Sequence, residues 1–323
     1  MDGLTRRAAV VLASAIALAP RASANTSWPT SRLTLLLAYP PGGITDRLGQ
    51  DLADRLRRGM GLKVVVEHRP GAGGTLAMEQ LARAPTDGSV LALNAVTPLT
   101  LAPFFGTLRY DPVRDVAPLR ALVDTPLMVV GTPALQAPDW AGMIKQARTH
   151  PGGLRWASSG LASTGHLVME QVRLDSRAPL IHVPYKGGGQ QLQDALGGQF
   201  EVLSTNFAAD QLRWVQQGRL KALAVGAARR QAGLPTVPTL GELGHPAANR
   251  WSTFGLFAPG AMPAALRHRL QRQLAAALDA HWQDFVRGQY SEPAFLEGEA
   301  FVAWLAEESV RNRRLVNEAG FGR

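Results

Sequence analysis

The sequence predicts an α/β protein of two units with a cleft between them. Short apolar runs of strand length alternate with helical patterns from end to end, the helical patterns place apolar residues about every four positions, and a turn or capping cluster separates each pair. A β-α-β-α-β rhythm of this kind argues for a largely parallel sheet with helices on both faces. Two such units joined by short crossings leave a crevice. In these sheets ligands sit outside the carboxyl ends of strands, where loops lead into helix starts.

The elements follow in order. Leu33 to Ala38 reads as a buried strand, and Leu48, Leu52 and Leu56 then mark one face of a helix. Val64-Val65-Val66 is the next strand, Leu76 to Ala82 a helix, and Val90 to Leu93 a third strand. After Pro126 the rhythm resumes with a strand at Leu127 to Val130 and a helix capped by Asp139 that runs through Arg148. Arg155-Trp156-Ala157 precedes a helix beginning near Ser163, and Leu180 to Val183, Phe200 to Leu203 and Leu220 to Val225 are further strands. Trp251 to Ala258 is β-like, Leu266, Leu270, Leu274 and Leu278 mark a long amphipathic helix, and a last helix runs from about Glu299 to Asn317.

Composition narrows the function. The chain has 323 residues, 46% hydrophobic and 18% charged, which suits a packed core and not a disordered chain. It has no cysteine, which excludes disulfides, thiolate metal sites, cysteine nucleophiles and a lipidated N-terminal cysteine. Residues 1–24 read as an export signal: Arg6 and Arg7, an apolar run from Ala8 to Ala19, then Ala22-Ser23-Ala24 as a small-x-small cleavage site. The apolar run, about 12 residues, is too short for the ~20 of a membrane span. Export by a general or a twin-arginine route fits the Arg6-Arg7 pair, with a mature chain starting near Asn25. The formal net charge of +9 falls to +7 once Arg6, Arg7, Arg21 and Asp2 leave with the signal, a balance that suits anionic partners or simply solubility. The basic residues form no block or stripe, which argues against nucleic acid.

Three strand-to-helix loops carry the chemistry. In Tyr39-Pro40-Pro41-Gly42-Gly43-Ile44-Thr45-Asp46, the prolines stiffen the exit and the glycines let backbone N–H groups approach a ligand, with Thr45 or Asp46 as helix cap. Such a helix start is an anion site that needs no lysine; the same residues also read as a tight turn. In Ala157-Ser158-Ser159-Gly160-Leu161-Ala162-Ser163-Thr164-Gly165-His166, hydroxyls crowd a helix start. With Ser163 or Thr164 used as the cap, Ser158 and Ser159 remain to face a ligand, and His166 is either a neutral donor or a structural histidine. In Val183-Pro184-Tyr185-Lys186-Gly187-Gly188-Gly189, Tyr185 offers an apolar face with a hydroxyl, and Lys186 is the one cation of the three loops.

Catalytic patterns are missing. Gly71-Ala72-Gly73-Gly74-Thr75-Leu76 has leucine where a dinucleotide fingerprint needs its third glycine, and Asn94 ends the next strand without an acidic ribose partner. Ser163 lacks the first glycine of a nucleophile elbow, and the seven histidines show no metal-ligand spacing. The reading is a binding protein with no catalytic residue, metal or cofactor. The alternative is a secreted enzyme whose site would show as a cluster of perturbed titratable groups.

The chain resembles the substrate-binding proteins of tripartite tricarboxylate transporters, the Bug or TctC-like receptors. The likeness is carried by Tyr39 to Asp46, Val64 to Gly74, Pro85-Thr86-Asp87-Gly88, Tyr110 to Asp115, Ala157-Ser158-Ser159-Gly160, His182 to Gly187 and Leu234 to Thr239. The resemblance implies a type II periplasmic binding protein: two α/β domains, residues 25–124 with 249–323 and residues 125–248, hinged by two crossings. It implies a monomer that closes on a small organic carboxylate and hands it to the membrane subunits of such a transporter, or presents it to a sensor. Carried over, the contacts are Tyr39, Gly42, Gly43, Thr45, Asp46, Thr97, Ser158, Gly160, Ser163, Tyr185, Lys186, Gly187 and Asn206. Many relatives carry an aspartate at the position of Thr205, and its absence disfavours an amino-acid ligand.

Overall fold

A computed structural model describes residues 32–320, so the export-signal reading of residues 1–24 lies outside the described residues. The elements run β1 (Arg32–Leu37), α1 (Ile44–Met60), β2 (Lys63–His68), α2 (Thr75–Ala82), β3 (Val90–Ala95), α3 (Thr97–Thr100) and β4 (Val116–Gly131). There follow α4 (Trp140–Thr149), β5 (Leu154–Ser158), α5 (Thr164–Ser176), β6 (Leu180–Pro184), α6 (Gly188–Leu196), β7 (Val202–Asn206), α7 (Ala209–Gln216) and β8 (Lys221–Gly226). The chain ends with β9 (Trp251–Pro259), α8 (Ala264–Ala277), α9 (Ala280–Gly288), β10 (Glu292–Pro293) and α10 (Gly298–Ala319).

The strands line up as β2-β1-β3-β9-β4-β7-β5-β6, with β8 and β10 also paired to β4. The sheet is mixed, where the rhythm predicted a largely parallel one. Parallel pairing is confined to β1 with β2 and β3, and to β5 with β6 and β7. The strands between these groups, β9 and β4, pair antiparallel with their neighbours. The reason is topological: a chain that leaves one half of the sheet along β4 and returns along β9 must run those two in opposite directions.

β4 joins the halves. Its first part, Val116 to Pro126, pairs with β9, and its last part, Leu127 to Gly131, pairs with β7 and β8. Pro126 marks the changeover. The register with β9 shifts between Pro118 and Arg120 and again between Ala121 and Val123, the kind of irregularity that lets a proline sit inside a strand.

Each half has its own core on both faces of its sheet. In β1, Leu33, Leu35 and Leu37 pack against Leu48, Leu52 and Leu56 of α1 and Leu266, Leu270 and Leu274 of α8. Leu36 points the other way, toward Met78 of α2 and Phe301 of α10. Burial on both faces explains why β1 reads as a nearly continuous apolar run. In the second half, Val129 and Trp156 pack with Val168 and Met169 of α5, while Met128, Val130 and Leu203 pack with Phe207 and Leu212 on the opposite face.

Caps set the helix limits. Asp139 accepts the Gly142 N–H at 2.8 Å and opens α4 as expected. The long helix predicted through Leu278 stops at Ala277, because Asp279 accepts the Trp282 N–H at 2.9 Å and starts α9. Among the described residues no helix is long and apolar enough to cross a membrane.

Leu48 is fully buried between β1 and α8. Leu48→Ala is expected to cost roughly 2–5 kcal/mol of unfolding free energy, read as a lower urea midpoint by circular dichroism. Leu76→Ala, at a position 45% exposed, should move the midpoint little.

Candidate functional site

The ends of β1, β5, β6 and β7 bring four helix starts to one cavity of about 60 Å3 between the two halves of the sheet. Gly43, Ile44 and Thr45 line it from the start of α1. Ser163, Thr164 and Gly165 come from α5, Gly188 from α6, and Ala208 and Asp210 from α7. Helix α5 is capped by the Ser163 hydroxyl, which accepts the His166 N–H at 3.2 Å. Helices α1, α6 and α7 have no side-chain cap. Their first-turn donors are not taken by a side-chain cap, and the carboxylates in those first turns, Asp46 of α1 and Asp210 of α7, are engaged by His68 and by Arg47 and Arg213.

Among the described residues, no Lys, Arg or His lines the cavity. The acidic lining residue, Asp210, is engaged by Arg47 at 2.8 Å and by Arg213 at 3.2 Å. The Arg47 contact joins α1 to α7 across the cleft. Gln211 donates to the Thr205 hydroxyl at 3.1 Å, while its own Oε1, like Thr97 Oγ1, is buried without a partner. Buried polar atoms in that state mark a place where a ligand or water completes the bonding.

Of the thirteen residues expected at the site, Tyr39, Gly42, Gly43, Thr45, Thr97, Ser163 and Asn206 line the cavity. Tyr39 is a buried wall whose hydroxyl donates to Gly73 O at 3.4 Å, and burial pushes its pKa up. Gly42 has φ +89°, open to glycine at little cost, and its N–H goes to Asp46 Oδ2 at 2.9 Å. Asp46 lies behind the loop and does not cap α1, whose N-cap is Gly43. Burial pushes the Asp46 carboxyl up, but the Gly42 N–H, His68 at 2.9 Å and Gln50 together hold it below its ordinary value.

Ser158, Gly160, Tyr185, Lys186 and Gly187 do not line the cavity. Ser158 is fully buried: its Oγ donates to Gly160 O at 3.0 Å, meets His182 Nε2 at 2.7 Å, and accepts from the Ser163 hydroxyl at 3.2 Å. It holds the loop from behind, and its neighbour Ser159 takes the place in the lining. The Tyr185 hydroxyl donates to Asp194 at 2.7 Å, and burial, then Asp194, pushes its pKa up to about 12. Lys186 is exposed.

Where the loops of the two halves approach each other, glycines make the closest contacts. A Cβ on Gly187 would collide with Pro40, one on Gly73 with the Leu161 carbonyl, and one on Gly160 would lie 3.2 Å from the Gly73 backbone. All three have positive φ, +63° at Gly73, +147° at Gly160 and +151° at Gly187, a further demand for glycine.

Beyond the expected residues, Ser204, Thr205, Asp210, Gln211, Gln191 and Ser252 also line the cavity. The signal for Ser204, Thr205 and Asp210 was a fourth strand-to-helix segment, Ser204 to Asp210, with a hydroxyl-rich start like that of the Ser158 loop. Gln191 and Ser252 sit inside regular elements and carry no comparable signal.

Residues 48–321 match the model of the TctC family, described as the tripartite tricarboxylate transporter family receptor. Protein BugT of Bordetella pertussis is 31% identical over 325 residues, covering 98% of each chain. The structure of an R. palustris protein with adipate superposes with a TM-score of 0.85 at 28% identity, covering 92% of this chain and 99% of that one. The periplasmic binding protein BugD superposes with a TM-score of 0.85 at 25% identity, covering 91% of this chain and 99% of that one. The fold is thus the mixed α/β periplasmic binding protein fold.

Behind the Ser158 loop, the His166 and His182 rings stack at 3.9 Å. Burial first, then the neighbouring His166, brings His182 down to about 3 from an ordinary value of 6.5. Between those values the unfolded chain binds a proton that the folded chain refuses, so stability falls as pH falls through that window. His182→Gln should flatten the loss of urea stability between pH 7 and pH 5. An unchanged slope in the variant would show that His182 is not its source.

Proposed function

We propose that this chain, which belongs to the tripartite tricarboxylate transporter receptor family, captures a small organic carboxylate in the periplasm and delivers it to the membrane subunits of a transporter of that type. The family is one of transport receptors and not of enzymes. The observation that carries the ligand class is the convergence of four helix starts, three without a side-chain cap, on a cavity lined, among the described residues, by no cation. Backbone donors and hydroxyls there suit an oxyanion. The adipate held by the R. palustris relative and the description of BugD as periplasmic support the ligand class and the location.

In this reading residues 25–124 with 249–323 form one hinged domain and residues 125–248 the other, with the crossings near Pro126 and Arg250. Gly43, Thr45, Ser159, Ser163 and Thr164 hold the carboxylate, directly or through water, which bridges at little cost. Thr97, Asn206 and Gln211 meet the rest of the ligand. Ser158, Gly160 and Gly187 shape the loops, Tyr39 walls the cavity, and Asp46 braces the first loop. Because Asp210 is already taken by two guanidiniums, the cavity has no carboxylate free for an ammonium group. That favours a carboxylate without an amine.

A thermal-shift panel of short organic acids tests the proposal. The right acid, at about 100 times its Kd, should stabilise the protein by about 2.7 kcal/mol and be recovered chemically unchanged. A broad panel with no shift would remove the support for carboxylate capture, and a consumed acid would favour an enzyme. Gln211→Ala should weaken binding of that acid about 5–10-fold, the worth of one hydrogen bond near 1 kcal/mol, measured by calorimetry.

A further inference from the structure

Behind the cleft, on the side of the returning crossing, lies a larger pocket of about 280 Å3. Thr97 and Thr164 form a wall common to the two spaces. The far side is built by Arg250 and Trp251 of the crossing and by Trp304, Glu308 and Arg311 of α10.

Its charges are unequal. Arg250 Nη1 donates to Glu308 Oε1 at 3.1 Å and to Asn312 Oδ1 at 3.0 Å, and its side chain is 16% exposed. Arg311 donates through Nε and Nη2 to the other oxygen of the same carboxylate, at 2.9 and 2.7 Å. One lining carboxylate thus serves two lining guanidiniums; the other acid near Arg311, Glu307, stands 3.7 Å away and is largely exposed. Burial, and after it the Arg311 charge working against the pull of Glu308, makes the Arg250 cation harder to keep. A second negative charge in the pocket would relieve both. Guanidinium forks match an oxyanion's paired acceptors.

We propose that this pocket is a second anion site, separate from the cleft, that takes a small oxyanion, a carboxylate or phosphate group, beside Arg250 and Arg311. The proposal goes beyond carboxylate capture in the cleft and does not depend on it.

The two tryptophans supply the readout. The purified protein is titrated with inorganic phosphate and, separately, with acetate, against sodium chloride at matched ionic strength, and tryptophan fluorescence is followed. A saturable change with either anion over chloride is expected, with most of the signal lost in Trp304→Phe. Phosphate saturating alone identifies an inorganic oxyanion, and acetate saturating alone a carboxylate. In Arg311→Gln, at a half-exposed position, the Kd should rise at least 10-fold while the melting temperature of the unliganded protein stays close to that of the parent. No saturable response to either anion overturns the proposal. So does an Arg311→Gln variant that binds like the parent, since that places the anion elsewhere, the cleft included.

Discussion

Removing a carboxylate from water costs several kcal/mol unless its oxygens find new donors. A cavity without a cation in its lining can meet that demand only with many fixed dipoles, and helix starts are the densest source a chain offers. Each contributes N–H groups held by the helix itself and roughly half a positive charge. Bringing four of them together sets the rest of the architecture. Strands must end at the same edge, crossovers must start there, and the loops must be short and glycine-rich enough for backbone to reach the guest. The α/β order of each half is what makes that edge. Donors fixed by helix geometry spare the ordering cost that flexible side chains would add.

The second layer matters as much as the lining. Ser158 contributes nothing to the cavity surface, yet it ties Gly160, Ser163 and His182 into one network. That network fixes the α5 start and lets Ser159 face inward. Asp46 does comparable work on the first loop by taking the Gly42 N–H and the His68 ring. Polar residues near the site thus divide between those that can touch a guest and those that hold the loops.

Most of the architecture was legible because burial on two faces leaves continuous apolar runs, as in β1, and because caps such as Asp139 are local. The failures share a cause in long-range pairing. The first part of β4 was invisible: Pro118, Asp124 and Pro126 interrupt its sequence pattern, and pairing with β9 and β10, distant in sequence, makes it a strand. The antiparallel middle of the sheet follows from the chain's return and leaves no periodic trace. At the site, residue type pointed to the right loops but could not separate Ser158 from Ser159. Which of two adjacent serines faces inward depends on the end of β5 and on the His182 ring, a partner 24 positions away. Gln191 and Gln211 were missed because a glutamine on a helix looks like solvated surface until the opposing half is in place.

The meeting of the halves at Gly73, Gly160 and Gly187 has a mechanical consequence. Main chain abuts main chain or a rigid proline ring, so parting the halves there frees no long side chains and bringing them together freezes few rotamers. The peptide groups that meet there are ones that water solvates readily, while the apolar cluster of Leu101, Ala102, Ala162, Leu167, Leu315 and Val316 also spans the halves. In the proposed closure the glycine contacts would set how closely the loops approach, and the apolar cluster how far the halves part.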